Sequence, residues 1–335
     1  MKKSRSMPIL MSFRSLYIFI LFAILYSLFS SAALKAAEEN TICIIITGLG
    51  GMPEYEENFL SWGLATEAHF QDELESVVYR LDGRHKKKSD ILQLFEQISS
   101  SPLPNELWLF LIGHASHDHR NYKFNISGPD LTDQDIKTFF DGLGETKTYL
   151  VAATSSSGTL ASQLGHENRV IVTATKSATE RQPPLFMSFF LEAVTSEEAD
   201  TDKNARVSLL EAFLFSHQKV AAWFEEKGRL QTEHATLQDN GQVLLEKKNI
   251  LETDPGNQGT LLASIAYLTR ATAQPYRTRE ARELASQGVE LEREIEDLKF
   301  RKNQMPEDEY YRALEELLVK LAVLNESIAK MEGEL

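Results

Sequence analysis

Residues 150–160 read LVAATSSSGTL, an apolar run that ends in four hydroxyl residues, 154–157, and a glycine. The apolar run predicts a buried strand at residues 148–153, and helical periodicity resumes at residues 158–164. A strand that turns directly into a helix is typical of the repeating unit of a parallel sheet. This stretch therefore predicts an α/β fold, and it raises the question of why a buried strand ends in four consecutive hydroxyl residues.

The same alternation of short β-branched runs and helical patterns extends over one predicted domain, residues 38–240. Further strands are predicted at residues 42–47, 76–81, 107–112 and 169–175. Further helices are predicted at residues 55–73, 89–98, 132–140, 184–194 and 208–226. Because the strands are almost continuously apolar, both of their faces must be covered. The predicted fold class is α/β, with a mostly parallel sheet and helices on both faces.

Two segments of different character follow this domain. Residues 241–275 are rich in Asp, Asn, Gly and Pro and lack periodicity, which predicts a linker. Residues 276–335 carry apolar residues at heptad spacing on both sides of Pro306, which predicts an α-helical hairpin with coiled-coil seams. Such a hairpin packs on itself, packs on the domain, or joins copies of the chain into a homo-oligomer.

Charge and the N-terminal sequence restrict partners and location. The chain has 335 residues and a formal net charge of -14, which repels a nucleic-acid backbone, so nucleic acid is excluded as a partner class. Residues 1–37 begin with basic residues, continue through the apolar run 16–29 and end in mostly small residues. This pattern predicts a secretory signal peptide or, if it is not cleaved, an N-terminal membrane anchor. In both cases the protein is expected to be exported.

Residues that could take part in catalysis follow two of the predicted strands. His114 comes directly after the strand 107–112 in the sequence IGHASHDH, and the hydroxyl run follows the strand 148–153. Because the carboxyl ends of parallel strands meet at one edge of a sheet, neighbouring strands would bring an imidazole and a hydroxyl together there. This is the arrangement of a general base beside a nucleophile.

The IGHAS and ATSSSG turns, together with the later strand RVIVTAT, make the chain similar to the legumain-like cysteine peptidases of the caspase fold. The resemblance covers about residues 41–240. It implies that His114 is the catalytic base, that the backbone amide of Ala115 helps to bind the oxyanion, and that Ser155 stands where the family has its catalytic cysteine. It also implies a peptide or protein ligand.

The nucleophile of that family is missing from this chain. The single cysteine, Cys43, lies inside the apolar strand TICIIIT, where a buried structural thiol is expected. A serine nucleophile needs a base held in one tautomer, usually by a carboxylate, and Asp118 is the nearest candidate in the sequence. The open alternatives are a site that binds without catalysis and an active hydrolase that uses a His114–Ser155 dyad.

A metal provides another interpretation of the same loop. His114, His117 and His119 lie within six residues, and three imidazoles can bind zinc. The sequence shows no fourth ligand, and the spacing matches no common zinc site. The alternative is that His117 and His119 are solvated loop residues.

Residues 200–211, DTDKNARVSLLE, match the EF-hand calcium loop at every position but one. The expected ligands are oxygen atoms of Asp200, Asp202, Asn204, Arg206 (its carbonyl), Ser208 and Glu211. The exception is Ala205, which stands at the sharp turn where glycine is usual and where a Cβ costs about 1 kcal/mol. The sequence thus predicts weak calcium binding with a structural role, and the alternative is a solvated acidic turn at the start of a helix.

Three functions remain consistent with the sequence. The first is an exported pseudo-peptidase that binds peptides or proteins and has a calcium-stabilised loop. The second is an active serine-dependent peptidase or hydrolase. The third is an assembly protein that acts through its C-terminal coiled coil.

Overall fold

The computed structural model of the protein describes residues 41–118, 120–241, 243–246, 262–270, 278–300, 302 and 305–332. The predicted signal peptide or anchor at residues 1–37 lies outside these residues, as does His119. None of the described helices is long and apolar enough to cross a membrane.

A seven-stranded sheet forms the centre of the described chain, and a three-stranded sheet accompanies it. The strands are β1 (Thr41–Thr47), β2 (Val77–Asp82), β3 (Glu106–Gly113), β4 (Ala115–His117), β5 (Tyr122–Phe124), β6 (Leu131–Thr132), β7 (Lys147–Thr154), β8 (Arg169–Thr173), β9 (Thr236–Asp239) and β10 (Val243–Leu245). The large sheet has the order β2-β1-β3-β7-β8-β9-β10, and the small sheet has the order β4-β5-β6. From β2 to β8 all pairings are parallel, whereas β9 is antiparallel to β8 and β10 to β9.

Helices cover both faces of the large sheet. They are α1 (Pro53–Asp72), α2 (Lys88–Ser99), α3 (Asp133–Asp141), α4 (Thr159–Leu164), α5 (Phe186–Ala193) and α6 (Leu209–Glu226). Because successive side chains of a strand point to opposite faces, the sheet divides the apolar residues into two cores. Cys43 and Ile45 of β1 pack in the core with α1, α5 and α6, whereas Ile44 and Ile46 pack in the core with α2, α3 and α4. The predicted fold class is confirmed.

The prediction of a linker at residues 241–275 was wrong for part of this segment. Strand β10 belongs to the sheet, and the short 3-10 helix Leu262–Ser264 is packed in the core together with the residues that follow it, up to Leu268. The buried carboxylate of Asp239 accepts hydrogen bonds from the backbone amides of residues 262 and 263, at 3.2 and 2.7 Å. The domain therefore extends beyond residue 240, because these residues complete one of the two cores.

A helical hairpin follows, as predicted. It consists of α7 (Arg279–Phe300) and α8 (Glu307–Glu332), which contact each other. Pro306 precedes α8, whose first turn carries three acidic residues, as expected for a turn that faces the positive end of the helix dipole. Tyr310 and Leu324 of α8 are buried. The coiled-coil character of the hairpin stays a prediction.

Candidate functional site

The two strands predicted to carry the site, β3 and β7, are neighbours in the sheet. They pair in parallel, and their last paired residues are Gly113 and Thr154. His114 and Ser155 are the next residues of the chain on each side, so their backbones leave the same edge of the sheet side by side. The condition that the sequence set for a joint site, neighbouring strands, is met.

The His114 imidazole is half-buried between two aromatic rings. Tyr55 and Phe59 of α1 contact it edge-on, with ring centroids 5.1 and 5.0 Å away. Its Nε2 lies 3.0 Å from the carbonyl oxygen of Gly50, and because a carbonyl only accepts, Nε2 carries the hydrogen. Burial lowers the pKa of His114. The neutral ring therefore keeps Nδ1 as its basic nitrogen.

Gly50 lies in the loop TGLGG that follows β1, and its lack of a side chain allows it to hold His114. A Cβ at Gly50 would clash with the backbone of Glu56 in the first turn of α1. The amide of Gly50 in turn donates a hydrogen bond of 2.7 Å to the Glu56 carboxylate. The loop after β1 thus fixes the tautomer of His114, a role that the sequence did not reveal.

Asp118, the carboxylate considered for that role, has other partners. It forms a 2.7 Å ion pair with Lys123 and accepts hydrogen bonds from the amides of Arg120 and Asn121. The hydrogen bond from Lys123 is the largest cause of the lowered pKa of Asp118. Asp118 therefore stabilises the turn between β4 and β5, while the Gly50 carbonyl orients His114.

The Ser155 hydroxyl is buried, with only 2% of the residue exposed, and it binds the backbone of Ala115 twice. Its Oγ donates to the Ala115 carbonyl at 2.8 Å and accepts from the Ala115 amide at 3.1 Å. The hydroxyl hydrogen is thus directed at a carbonyl oxygen. The Ser155 hydroxyl, which is the predicted nucleophile, and the Ala115 amide, which is predicted to bind the oxyanion, are hydrogen-bonded to each other.

The neighbouring hydroxyl residues connect β7 to the strands around it. Thr154 Oγ1 lies 2.8 Å from the Tyr122 hydroxyl of β5, and both groups are buried. Ser157 Oγ donates to the Thr154 carbonyl at 2.9 Å and lies 3.1 Å from Thr175 Oγ1, just beyond β8. These contacts answer the question raised by the sequence: hydroxyl groups at the end of β7 satisfy buried polar groups of adjacent elements.

Ser156 is the strained residue of this turn. Its φ of 56° lies in the left-handed region, which costs a non-glycine residue about 1 kcal/mol or more. Its amide donates to the Glu180 carbonyl at 2.8 Å, whereas its buried Oγ has no hydrogen-bond partner among the described residues. The turn thus holds Ser156 in place through the backbone.

A histidine and two acids that the sequence did not single out lie near this turn. Glu180 Oε1 lies 2.5 Å from His234 Nδ1, and the residue before His234, Glu233, accepts hydrogen bonds from the amides of Leu185 and Phe186 at 2.7 and 2.8 Å. Burial raises the pKa of Glu233 to about 8. These contacts attach the segment before β9 to the loop after β8, and no sequence motif announces them.

The zinc interpretation and the Cys43 thiol have different outcomes. His119 lies outside the described residues, and the described residues contain no metal-competent cluster that includes His114 or His117.

Cys43 is fully buried, and burial raises the pKa of its thiol well above its ordinary value, so the thiol stays protonated. The expectation of a structural thiol is confirmed.

The acidic loop brings three of its predicted ligands together. Side-chain oxygens of Asp200, Asp202 and Glu211 all lie within 4.8 Å of one another. The pKa of Asp202 is raised, first by burial and then by the charges of Glu211 and Asp200. Ala205 has a φ of 63°, so the sharp turn is left-handed at the position where the sequence pattern calls for glycine.

The ends of the acidic loop are tied to other parts of the chain. Val207 and Leu209 exchange backbone hydrogen bonds of 2.8 Å with the segment that contains Ala266 and Leu268. The Arg206 side chain is 4% exposed, stacks on the Tyr267 ring at 3.9 Å and donates to Glu292 of α7 at 2.7 Å. The Arg206 side chain therefore joins the loop to the hairpin.

Comparisons with known proteins find similarity among solved structures, where 148 chains match. No protein-family model and no curated protein matches the sequence. Among solved structures, the chain is similar to the one titled "Crystal Structure of Caspase-1 from Spodoptera frugiperda", with a TM-score of 0.40 and 13% identity over 61% of this chain and 87% of that chain. This similarity concerns the fold and is too low to assign a family.

Proposed function

We propose that the protein is an exported pseudo-peptidase, which binds peptides or proteins at the sheet edge that carries His114 and Ser155 without cleaving them. The observation that supports the lack of catalysis is the pair of hydrogen bonds between Ser155 and the Ala115 backbone. A serine nucleophile must give its proton to a base, and the oxyanion needs a free amide donor. Here the Ser155 hydroxyl and the Ala115 amide are hydrogen-bonded to each other.

The energetic cost of opening this pair also supports the proposal. If Ser155 turned toward a base, the buried carbonyl and amide of Ala115 would lose their partner. Each unsatisfied buried group costs about 1–3 kcal/mol. A productive dyad would therefore carry a penalty of several kcal/mol before any chemistry begins.

The binding part of the proposal rests on the resemblance to legumain-like peptidases and on the accessible residues of the edge. His114 is half-buried and Ser116 is exposed, although Ala115 between them is buried. A ligand at this edge would contact the His114 ring and the β4 backbone. Peptides are the ligand class of the family that the chain resembles.

Labelling with a fluorophosphonate probe tests the catalytic half. We expect no adduct on Ser155 in the folded, calcium-treated protein, because its Oγ is buried and hydrogen-bonded. Peptide cleavage by the wild type that disappears in both Ser155→Ala and His114→Ala would overturn the proposal.

Selection from a random peptide library displayed on phage tests the binding half. We expect enriched sequences with the wild type and their loss with Ser116→Trp, which would obstruct the edge without replacing a buried residue. Ser162→Trp, at an exposed position of α4, is the matched control and should retain binding. Equal enrichment by both variants would place the binding elsewhere.

The second candidate, an active serine-dependent hydrolase, is favoured by the state of His114. Its tautomer is fixed through Nε2, and its lowered pKa keeps it neutral, as a general base requires. The same labelling experiment separates the two candidates. An adduct on Ser155 that depends on His114 would establish the hydrolase.

We also propose that residues 200–211 bind calcium with a structural role. The clustered carboxylates of Asp200, Asp202 and Glu211 offer the hard oxygen ligands that calcium prefers, and the sequence pattern assigns the carbonyl of Arg206 as another. Bound calcium would neutralise the repulsion among the acids and fix the start of α6. Calorimetric titration of chelator-treated protein tests this, and we expect saturable binding of one ion. The absence of binding heat together with an unchanged melting temperature would refute it.

Export is proposed from the N-terminal sequence alone. Ser31 and Ala33 fit the small-x-small rule for signal peptidase, which predicts a mature chain that begins at Leu34. N-terminal sequencing of protein recovered outside the cytoplasm tests this proposal. A chain that retains residues 1–33 and fractionates with membranes would indicate the anchor instead.

A further inference from the structure

His234 is a second oriented histidine, close to the turn that carries Ser155. Its Nδ1 lies 2.5 Å from the Glu180 carboxylate, and because a carboxylate only accepts, Nδ1 carries the hydrogen. Nε2 of the neutral ring is then an acceptor. It forms no hydrogen bond with the described residues and is not one of their buried unpaired atoms, so it faces solvent. His234 therefore presents an unused acceptor.

The attachment of the segment before β9 does not depend on the His234 ring. The Glu180 carboxylate accepts hydrogen bonds from the backbone amides of Lys176 and His234, at 3.0 and 3.2 Å. The Glu180 carbonyl accepts from the amide of Ser156 at 2.8 Å. These backbone contacts already join the segment to the loop after β8. The contact with the imidazole fixes the direction of the ring, as carboxylates do for histidines that act on a ligand.

The strand register places His234 at the same edge of the sheet as His114. Gly113, the residue before His114, pairs with Thr154 of β7. The register between β7 and β8 places Thr175 level with Thr154, and the register between β8 and β9 places His234 level with Thr175. Three strand spacings separate β3 from β9, which amounts to about 14 Å.

Two acceptors at this separation fit an extended peptide backbone. His114 presents Nδ1 and His234 presents Nε2. In an extended chain, every second amide points to the same side, and each residue adds about 3.3 Å. Amides four residues apart therefore point the same way and lie about 13 Å apart. This spacing is a property of the backbone and does not depend on the side chains of the peptide.

We propose that His234, oriented by Glu180, is a second ligand-binding residue of the sheet edge and accepts a hydrogen bond from a backbone amide of an extended peptide. His114 Nδ1 accepts from the amide four residues away along the same peptide. This inference rests on the proposed peptide binding and adds the contact residue, the extended conformation and a minimum length of about five residues.

A backbone-methylation scan tests the proposal on the ligand. The probe is a peptide that the wild type recovers from the phage library, and its affinity is measured by fluorescence polarisation. Replacement of one N–H at a time by N–CH3 should weaken binding about tenfold at two positions four residues apart. Methylation of the amides next to them, which point away, should change affinity less than about twofold.

The outcomes of this scan separate the inference from the proposed function. A peptide that tolerates every methyl group, or whose sensitive positions are not four residues apart, would overturn the inference and leave peptide binding intact. A wild type that recovers no peptide would overturn both.

His234→Asn tests the proposal on the protein. The asparagine amide can replace Nδ1 toward Glu180, whereas no atom replaces Nε2. We expect about fivefold weaker binding and no additional loss from the methyl group at one of the two sensitive positions. His166→Asn, at an exposed position before β8 and thus at the opposite edge, is the matched control and should bind like the wild type.

The tautomer of His234 provides a readout that is independent of binding. Long-range 1H–15N NMR correlations of the free protein should show the His234 hydrogen on Nδ1. A hydrogen on Nε2 of the neutral ring, or a His234→Asn protein with wild-type affinity, would overturn the inference.

Discussion

The hydroxyl turn after β7 and the acidic loop before α6 are both polar segments singled out by sequence, and both hydrogen-bond within the protein, but only the acidic loop brings like charges together. In the hydroxyl turn, Ser155 and Ser157 hydrogen-bond to buried groups of the protein itself. In the acidic loop, the carboxylates of Asp202 and Glu211 approach each other, and the pKa of Asp202 is raised. The Ser155 and Ser157 hydroxyls of the first segment are bonded within the protein, whereas we expect the second segment to bind a cation, as proposed above.

This contrast separates two meanings of a recognisable motif. Small hydroxyl residues at a strand end are expected at a catalytic turn, but they are equally able to join strands by buried hydrogen bonds. Clustered acids repel one another unless a proton or a cation is bound. The crowding of like charges is therefore the feature on which the calcium proposal for residues 200–211 rests.

The largest effect should come from Ser155→Ala. The change leaves the buried carbonyl and amide of Ala115 unpaired, so we expect the free energy of unfolding to fall by about 3 kcal/mol, measured by urea denaturation. Ser162→Ala, an exposed serine of α4, is the control and should change stability by less than about 0.5 kcal/mol. If Ser155→Ala left the free energy of unfolding unchanged, the two hydrogen bonds between Ser155 and Ala115 would not stabilise the hydroxyl turn. The contrast with the acidic loop would then fail.

Glu211→Gln should have the next largest effect, on calcium affinity. The change removes one of the three clustered carboxylates and leaves an amide, so we expect affinity to fall roughly 100-fold in calorimetric titration. Glu198→Gln, which neutralises an exposed acid outside the loop, should bind calcium like the wild type. Equal calcium affinity of Glu211→Gln and the wild type would contradict the proposal that this loop binds calcium.

Ala205→Gly should tighten calcium binding about fivefold. The residue has a φ of 63°, and glycine adopts this conformation without the penalty of about 1 kcal/mol that a Cβ carries. Ala205→Ser keeps the Cβ and should show no gain. If glycine and serine behave alike, the strain at this turn does not limit affinity.

The smallest effect concerns pH and the acidic loop. The folded-state pKa of Asp202 is raised from its ordinary value of 3.8, so without calcium its contribution to stability is present below that value and is lost as pH rises through the folded value. Calcium favours the ionised form and removes this loss. We expect the calcium-induced rise in melting temperature to be roughly half as large at pH 5 as at pH 7.5. Asp202→Asn should flatten this difference, and a shift that is independent of pH would argue against calcium coordination by Asp202.

Much of the fold follows from local sequence patterns. The parallel strands β1, β3, β7 and β8 are largely apolar runs, β2 at the edge begins with two valines, and the helices between the strands have clear periodicity. Their order in the chain therefore determined the class of sheet. The hairpin was equally visible because heptad spacing on both sides of Pro306 is a local signal.

The strands β9 and β10 could not be predicted in the same way. β9 is the four-residue segment TLQD, which has little apolar character, and it is buried because β8 lies beside it. Its Thr236 Oγ1 lies 2.7 Å from Thr173 Oγ1, a contact across 63 residues of sequence. A segment whose structure depends on such distant contacts has no local periodicity to reveal it.

The candidate site was predictable in position but not in detail. The sequence placed His114 and Ser155 at the ends of two predicted strands, and the structure makes these strands neighbours. It did not show that the Gly50 carbonyl orients His114, nor that Ser155 binds the Ala115 backbone. Both contacts are made to backbone atoms, which a sequence motif does not specify because nearly every residue has the same backbone groups. The Glu180–His234 pair was missed for a related reason, since its members lie 54 residues apart.

The position of β9 late in the chain has a consequence for folding. His69 Nε2 lies 2.6 Å from the Leu268 carbonyl, 199 residues further along the chain, and β8 lacks its second neighbour until residue 236 is available. A chain translocated from its N-terminus would present the open edge of β8 while the remainder is still crossing. We therefore expect slow folding dominated by long-range contacts and, if the chain is exported as proposed, a period after translocation in which a chaperone that shields strand edges raises the yield.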